Sequence, residues 1–217
     1  MAHTNLAEDI TAFQDSFIPT VPEETINLLM SELQTLITQG LAEQAIQVGD
    51  TFPAFSLANA NESAVSLATL LKDGPLVISF YRGAWCPYCN LEINALQNRL
   101  TDIRAAGAQL VAISPQTPDK SNGQVSASKL TFDVLSDISN QLAEQCGLVF
   151  TLPESLRPIY AAWQIDIPGH NGNDSFELPM PATFIIGVDG IVKYAFIDMD
   201  YTKRLEPEVI IEQLKVL

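Results

Sequence analysis

Apolar residues in the second part of the chain alternate between continuous runs and runs with helical spacing. Residues 75–81 and 108–114 are continuous apolar runs, as expected for strands that are covered on both faces. Between them, residues 90–106 carry leucine and alanine at helical spacing, and Gly107 follows as a stop signal. This order predicts a parallel, right-handed β-α-β unit.

The same reading predicts further elements on both sides of that unit. We expect an irregular edge strand at 50–57, a short helix at 67–71, a strand at 131–135, helices at 139–145, 153–163 and 206–216, and a hairpin of 182–186 with 191–196. Residues 167–178 hold Pro, Gly, Asn and Asp and read as an exposed loop. The alternation of strands and helices predicts an α/β fold with a central sheet flanked by helices.

The first 47 residues are predicted to form a helical extension of a domain at 48–217. Residues 20–23 offer an N-cap Thr, a first-turn Pro and a capping-box Glu, and Gly40 is a plausible stop. An apolar stripe recurs between them at helical spacing: Ile26, Leu29, Met30, Leu33, Leu36 and Ile37. We expect this stripe to pack on its own domain, and a homodimer contact is the alternative.

Composition and charge narrow the functional classes. The 217 residues are 47% hydrophobic, which allows a sizeable core, and the formal net charge is −15. Such a charge argues against nucleic acid and anionic membranes as partners. Neither a bilayer-spanning stretch nor a signal peptide is apparent, so we expect a cytoplasmic protein.

Cys86 and Cys89 are the most informative residues. They follow the predicted strand 75–81 directly and precede the predicted helix directly, with Pro87 suited to a first helical turn. At a helix N-terminus, unpaired N–H groups and the helix dipole favour the thiolate of Cys86. Cys89, one turn further on, can attack a mixed disulfide or sulfenic acid on Cys86. Arg82 is either a nearby positive charge or a solvated surface residue.

Other readings of the cysteines are weaker. A pair of inert buried thiols does not explain the strand-to-helix placement. A zinc site would need further ligands, but the chain has no second C-x-x-C, and neither His3 nor His170 has ligand spacing to the cysteines. We therefore expect no metal and no cofactor. Cys146 ends a short predicted helix beside apolar residues and reads as buried core. Trp85 and Tyr88 either shape the rim of the site or simply pack.

The segment Phe-Tyr-Arg-Gly-Ala-Trp-Cys-Pro-Tyr-Cys-Asn-Leu-Glu at 80–92 resembles the thioredoxin superfamily. More narrowly, it is similar to the peroxiredoxin-like branch of the alkyl hydroperoxide reductase/thiol-specific antioxidant family. Residues 48–55 resemble the first strand of that family, and 181–190 resemble its late hairpin, so the likeness covers about residues 46–217. It implies a thioredoxin-like fold with a central mixed sheet.

The resemblance also implies a cis-proline that faces the sulfurs just before the hairpin. Pro181 matches that position, with Pro179 as a possible misassignment. The backbone of Met180 would then be free to pair with a bound substrate strand. The alternative is an ordinary trans-proline at the start of a strand.

In one respect the chain departs from the family. Typical peroxiredoxins read Pro-x-x-x-Thr-x-x-Cys, where the Thr hydroxyl and an Arg position the peroxide. Counted back from Cys86, those positions hold Ser79 and Gly83 here. Arg82 or Arg204 would have to substitute, and Phe80 replaces the buried acid of thioredoxin.

These features favour a thiol-dependent oxidoreductase in which Cys86 attacks a peroxide or a disulfide and Cys89 resolves the product. The reductant would be thioredoxin or glutathione. Candidate substrate contacts are Arg82, Trp85, Pro87, Tyr88, Met180 and Pro181. The alternatives are a protein-disulfide reductase without peroxidase activity and a redox-sensing module whose N-terminal helices dock a partner.

Overall fold

The structure is a computed structural model that describes residues 5–217. Residues 1–4 of the predicted extension, which include His3, lie outside the described residues. The α-helices of the described range are α1 Leu6–Phe17, α2 Glu23–Thr38, α3 Leu67–Leu70, α4 Pro87–Asn98, α5 Leu100–Ala105, α6 Pro118–Ser128, α7 Gln141–Gln145, α8 Arg157–Ala162, α9 Ile167–Asn171 and α10 Pro207–Leu214. The strands are β1 Ser56–Asn59, β2 Ala64–Ser66, β3 Leu76–Phe80, β4 Gln109–Ser114, β5 Asp133–Ser136, β6 Val149–Thr151, β7 Glu177–Pro179, β8 Ala182–Ile186 and β9 Val192–Ile197.

Seven of these strands form one mixed sheet in the order β2-β1-β5-β4-β3-β8-β9. β3 and β5 run parallel to β4, whereas β8 is antiparallel to β3 and β9 to β8. β6 and β7 form a separate antiparallel pair. The predicted α/β class with a central mixed sheet is confirmed, as is the parallel pairing of the two apolar runs.

β3 lies at the centre of the sheet and is buried along its whole length. Successive side chains of a strand point to opposite faces, so Ile78 belongs to one apolar cluster and Val77 to the other. The cluster around Val77 also contains residues of α4, α5 and α10. Cys86 and Cys89 lie in this cluster, on one face of the sheet.

The N-terminal helices pack on the rest of the chain. The backbone N–H groups of Leu6 and Ala7 in α1 donate to the carboxylate of Glu206, at 3.1 and 2.7 Å. Ile10 is buried in the cysteine-containing cluster. The N-cap of α2 is Pro22 instead of the predicted Thr20, so the helix begins at Glu23, and its apolar stripe packs partly against the opposite cluster.

Three predicted segments differ from the structure. The predicted edge strand 50–57 is mostly irregular, because β1 covers only Ser56–Asn59 and lies between β2 and β5 inside the sheet. Residues 167–178 are not simply an exposed loop, because they contain α9 and β7, and Ile167 and Leu178 are buried. The carboxylate of Asp166 accepts from the N–H of Gly169 and so caps this short helix. The predicted helix 90–106 is broken into α4 and α5 at Arg99.

Of the helices in residues 5–217, none is both long and apolar enough to cross a membrane.

Candidate active site

Cys86 stands at the junction of β3 and α4. It is the N-cap residue of α4, and Pro87 is the first residue of the helix, as the sequence predicts. The N–H of Asn90 donates to the Cys86 carbonyl at 3.0 Å. Cys86 and Cys89 are both free thiols and both fully buried. The sulfur of Cys86 is therefore beside the positive end of a helix, but it has no direct contact with solvent.

The guanidinium of Arg82 is the nearest charged group to Cys86. Its Nη2 donates to the Cys86 sulfur at 3.1 Å, and its Nη1 donates to the hydroxyl of Tyr160 at 3.3 Å. It stacks on the ring of Tyr201 at 4.0 Å and lies 5.2 Å from that of Trp85. Arg82 is only 3% exposed, and no carboxylate within residues 5–217 forms a salt bridge with it. A buried cation without a carboxylate partner favours a thiolate beside it.

The electrostatics separate the two thiols. Burial alone would raise the pKa of Cys86, but the hydrogen bond with Cys89 and the charges of Arg82 and Arg204 outweigh it and hold this pKa well below its ordinary value. Burial and the hydrogen bond to Cys86 hold the pKa of Cys89 well above its ordinary value. The arrangement therefore favours a thiolate at Cys86 next to a protonated thiol at Cys89.

Cys89 has a cation of its own. Nη2 of Arg204 donates to the Cys89 sulfur at 3.3 Å, and Nη1 of the same guanidinium donates to the carboxylate of Glu92. The ion pair of Glu92 and Arg204 is almost fully buried, at 4% and 1% side-chain exposure. Burial raises the pKa of Glu92, and the adjacent Arg204 opposes that rise. The Thr183 hydroxyl on β8 also donates to Glu92, at 3.5 Å.

A network of side-chain amides holds the loop before Cys86. Gln116 Oε1 accepts from the N–H of Ala84 and from Nδ1 of His170, both at 3.0 Å. Asn90 Nδ2 donates to the Ala84 carbonyl at 2.7 Å, and Gln124 Nε2 donates to Asn90 Oδ1 at 3.0 Å. Because both polar groups of the Ala84 backbone have partners, the loop that presents Cys86 is fixed from two sides.

Gly83 explains why the family's threonine is absent at this place. Its φ is +147°, a region that side-chain-bearing residues rarely adopt. A Cβ on Gly83 would lie 2.5 Å from Nε1 of Trp85. The loop therefore cannot hold a threonine here without moving the tryptophan.

An apolar cavity of about 450 Å³ opens next to this loop. Four of the predicted site residues line it: Arg82, Trp85, Pro87 and Tyr88. Its remaining walls come from residues 14–18, from α2, from residues 160–165 and from the segment 200–202. Arg82 lines the cavity and Cys86 does not, but the Arg82 guanidinium contacts the Cys86 sulfur.

Met180 and Pro181 do not join this group. Described peptide bonds include no cis bond, so the prediction of a cis-Pro181 is wrong, and the chain continues from β7 to β8 through the more stable trans bond. The N–H of Met180 donates to the Leu148 carbonyl at 2.8 Å and is not free to pair with a substrate. Met180 also lies in the cluster on the opposite face of the sheet from the cysteines.

Sequence reasoning missed most of the polar residues around the cysteines. The sequence suggests Arg204 as a candidate but does not place it near the cysteines. It does not single out Glu92, Gln116, Tyr160 or Tyr201. Glu92 had a detectable signal, because it follows Cys89 by three residues on the buried face of α4. Cys146 is buried as predicted, and burial raises its pKa to about 12.

Solved structures with the same fold are peroxiredoxins. The peroxidoxin BcpB of Mycobacterium tuberculosis superposes with a TM-score of 0.63 at 22% identity, over 79% of this chain and 98% of that one. A peroxiredoxin-like protein of Aquifex aeolicus gives 0.62 at 17% identity, over 79% and 88%. With its buried C-x-x-C pair at a strand-to-helix junction, the chain is thus a thioredoxin-fold protein with a dithiol site.

The AhpC/TSA family matches residues 48–195, which is more than half of the chain, and the protein belongs to that family. A putative peroxiredoxin of Haemophilus influenzae is 33% identical over 103 residues, which cover 48% of this chain and 66% of the relative. Peroxiredoxin Bcp of Escherichia coli is 29% identical over 103 residues, covering 48% and 65%. The chain therefore spans slightly less than two thirds of the length of these relatives.

Proposed function

We propose that the protein is a thiol-dependent peroxidase of the peroxiredoxin type, with Cys86 as the nucleophile and Cys89 as the resolving thiol. The observation that carries this proposal is the hydrogen bond from buried Arg82 to the sulfur of Cys86 at the N-cap of α4. A thiolate is the form of cysteine that attacks peroxides and disulfides. Membership in the AhpC/TSA family favours a peroxide over a protein disulfide as the oxidant.

In the first step, the Cys86 thiolate attacks the terminal oxygen of a hydroperoxide. The S–O bond forms and the O–O bond breaks, which leaves a sulfenic acid on Cys86 and an alkoxide, or hydroxide, that takes a proton from water. Arg82 is placed to donate to the sulfur before the attack and to the departing oxygen afterwards. It thus takes the role of the arginine that positions the peroxide in typical peroxiredoxins.

In the second step, the Cys89 sulfur attacks the sulfenic sulfur. A disulfide forms, and the sulfenic oxygen leaves as water with the proton of the Cys89 thiol. Because burial disfavours a Cys89 thiolate, Arg204 supports the charge on this sulfur as it reacts. An external dithiol such as thioredoxin, or glutathione, then reduces the disulfide and is itself oxidised.

Further parts of the prediction remain proposals. We propose that residues 1–47 are an extension of a redox domain at 48–217, which agrees with a family match that begins at residue 48. A cytoplasmic location and a homodimer are also proposals. Substrate contacts by Met180 and Pro181 stay a prediction of the sequence alone.

A side-by-side assay tests the proposed function. Turnover of hydrogen peroxide, an organic hydroperoxide and a small disulfide is measured with a dithiol reductant, for the natural chain and for Cys86→Ser. We expect peroxide turnover that Cys86→Ser abolishes. Turnover confined to the disulfide would favour a disulfide reductase, and full peroxide turnover by Cys86→Ser would refute the role of Cys86.

A further inference from the structure

The cavity beside Arg82 has an apolar roof that the family match does not cover. Six apolar side chains of α1, α2 and the turn between them line it: Phe17, Ile18, Ile26, Leu29, Met30 and Leu33. The matched residues begin at 48. The roof is therefore a feature of this chain's own N-terminal helices.

Aromatic contacts fix this roof over the cysteine loop. The ring of Phe13 in α1 meets that of Tyr88 edge-on at 5.2 Å, and the ring of Phe17 meets that of Trp163 at 5.7 Å. The carboxylate of Glu206 holds the first turn of α1. Because both ends of α1 are held, the cavity is a partly open cleft between fixed helices and not a gap between loosely placed ones.

The floor of the cavity leads to the reactive sulfur. Arg82 and Tyr201 line the cavity, and the Arg82 guanidinium contacts both the ring of Tyr201 and the Cys86 sulfur. A ligand in the cavity would thus lie one side chain away from Cys86. For its reactive end to reach the sulfur, the side chains of Arg82 and Tyr201 would have to move aside.

The chemistry of the lining selects an apolar ligand. A volume of about 450 Å³ is in the range of small-molecule sites, and the charged residues of the lining are Arg82 and Asp200. Hydrogen peroxide has no apolar part that could use these walls. A hydroperoxide group on a hydrocarbon body would place its oxygens at Arg82 and its body under α1 and α2.

We propose that this cavity binds the apolar body of an organic hydroperoxide and that α1 and α2 set the preference for such a substrate over hydrogen peroxide. The inference rests on the proposed peroxidase function for its substrate. The binding of an apolar body is independent of the chemistry at Cys86. The two are therefore tested separately.

The binding test uses the full chain with Cys86→Ser and the redox-inert ligand 1-dodecanol. The chain has two tryptophans, Trp85 and Trp163, and both line the cavity, so intrinsic fluorescence reports occupancy. We expect a saturable change that Leu29→Gln weakens about tenfold or more, since single contacts in apolar pockets contribute that much. The matched control is Ile37→Gln on the exposed side of the same helix, which should bind as before.

If Leu29→Gln does not fold, Met30→Gln replaces it, because Met30 lines the cavity but is 62% exposed. No saturable change, or equal weakening by Ile37→Gln, would overturn the proposal. If the cavity binds the alcohol but the natural chain turns over no peroxide, the binding of an apolar body is supported and the proposed peroxidase function is refuted.

The kinetic test compares kcat/KM for dodecyl hydroperoxide and for hydrogen peroxide. We expect Leu29→Phe, which fills the cavity, to lower the ratio of the two values about tenfold, whereas Ile37→Gln leaves the ratio unchanged. Parallel loss on both substrates would contradict the proposal. A change confined to the KM of the dithiol reductant would assign the cavity to the reductant and would also overturn it.

Discussion

Nη2 of Arg82 lies 3.1 Å from the sulfur of Cys86, and each group is the other's buried partner of opposite charge. Neither would be stable in charged form in this core without the other. The buried partner of opposite charge for Arg204 is Glu92, and the same guanidinium also donates to the Cys89 sulfur. Each sulfur thus accepts a hydrogen bond from a different arginine.

Replacing Arg82 should weaken the Cys86 thiolate. In Arg82→Gln the pKa of Cys86 should rise, because a positive charge and a hydrogen bond to the thiolate are lost. A hydrogen bond to a charged group contributes about 1.5–3 kcal/mol, so alkylation of Cys86 at neutral pH should slow about tenfold or more. The measurement is the pH profile of alkylation in a Cys89→Ser background. Arg104→Lys, at an exposed site, is the control, and an unchanged profile for Arg82→Gln would refute the pairing.

The pH dependence of stability should report the same thiolate. The folded-state pKa of Cys86 is lower than its unfolded value, so the folded chain binds fewer protons there and stability rises with pH between the two values. This contribution is complete above the unfolded pKa of about 8.5 and is lost as pH falls through the folded pKa. Denaturant unfolding of the reduced chain and of Cys86→Ser at several pH values gives the difference. A difference that does not change with pH would contradict the depressed pKa.

The buried pair of Glu92 and Arg204 should matter far more than a similar pair at the surface. Glu92→Gln leaves a buried guanidinium without its carboxylate and should lower the free energy of unfolding by about 3–5 kcal/mol. Glu208→Gln removes the carboxylate of the exposed pair with Arg99 and should cost about 0–1 kcal/mol. Denaturant unfolding measures both. Equal losses of unfolding free energy would show that burial does not increase the contribution of the Glu92–Arg204 pair to stability.

Alanine substitutions at Gly83 and Gly123 should change stability in opposite directions. Gly83→Ala should destabilise by about 1–3 kcal/mol because the backbone has a positive φ and the new Cβ meets Trp85. Gly123 lies inside α6 with open space around it, so Gly123→Ala should stabilise by about 0.5–1 kcal/mol. Thermal unfolding measures both signs. A neutral Gly83→Ala would mean that the loop before Cys86 is not constrained.

The sequence predicts the elements better than the site. Strand β3 and the start of α4 are readable because an apolar run followed by Cys86 and Pro87 carries local signals. Arg204 is not, since 115 residues separate it from Cys89 and only the folded sheet brings them together. Helix α9 was missed because five residues containing Pro168 and Gly169 carry no helical period.

The resemblance to a family was informative about fold and less so about backbone detail. It correctly placed the late hairpin of β8 and β9, whose apolar strands flank a glycine-rich turn. It failed at Pro181, because the isomer of one peptide bond depends on the surrounding contacts and not on the motif. In this chain the backbone of Met180 is already paired with Leu148.

The most direct test of the central claim is a single turnover of the reduced protein with one equivalent of an organic hydroperoxide, followed by peptide mass spectrometry. We expect the natural chain to form a disulfide between Cys86 and Cys89, Cys89→Ser to stop at a sulfenic acid on Cys86, and Cys86→Ser to consume no peroxide. Cys146→Ser is the control and should behave as the natural chain. Peroxide consumption by Cys86→Ser at the natural rate, with the sulfenic acid on Cys89, would contradict the assignment of Cys86 as the nucleophile.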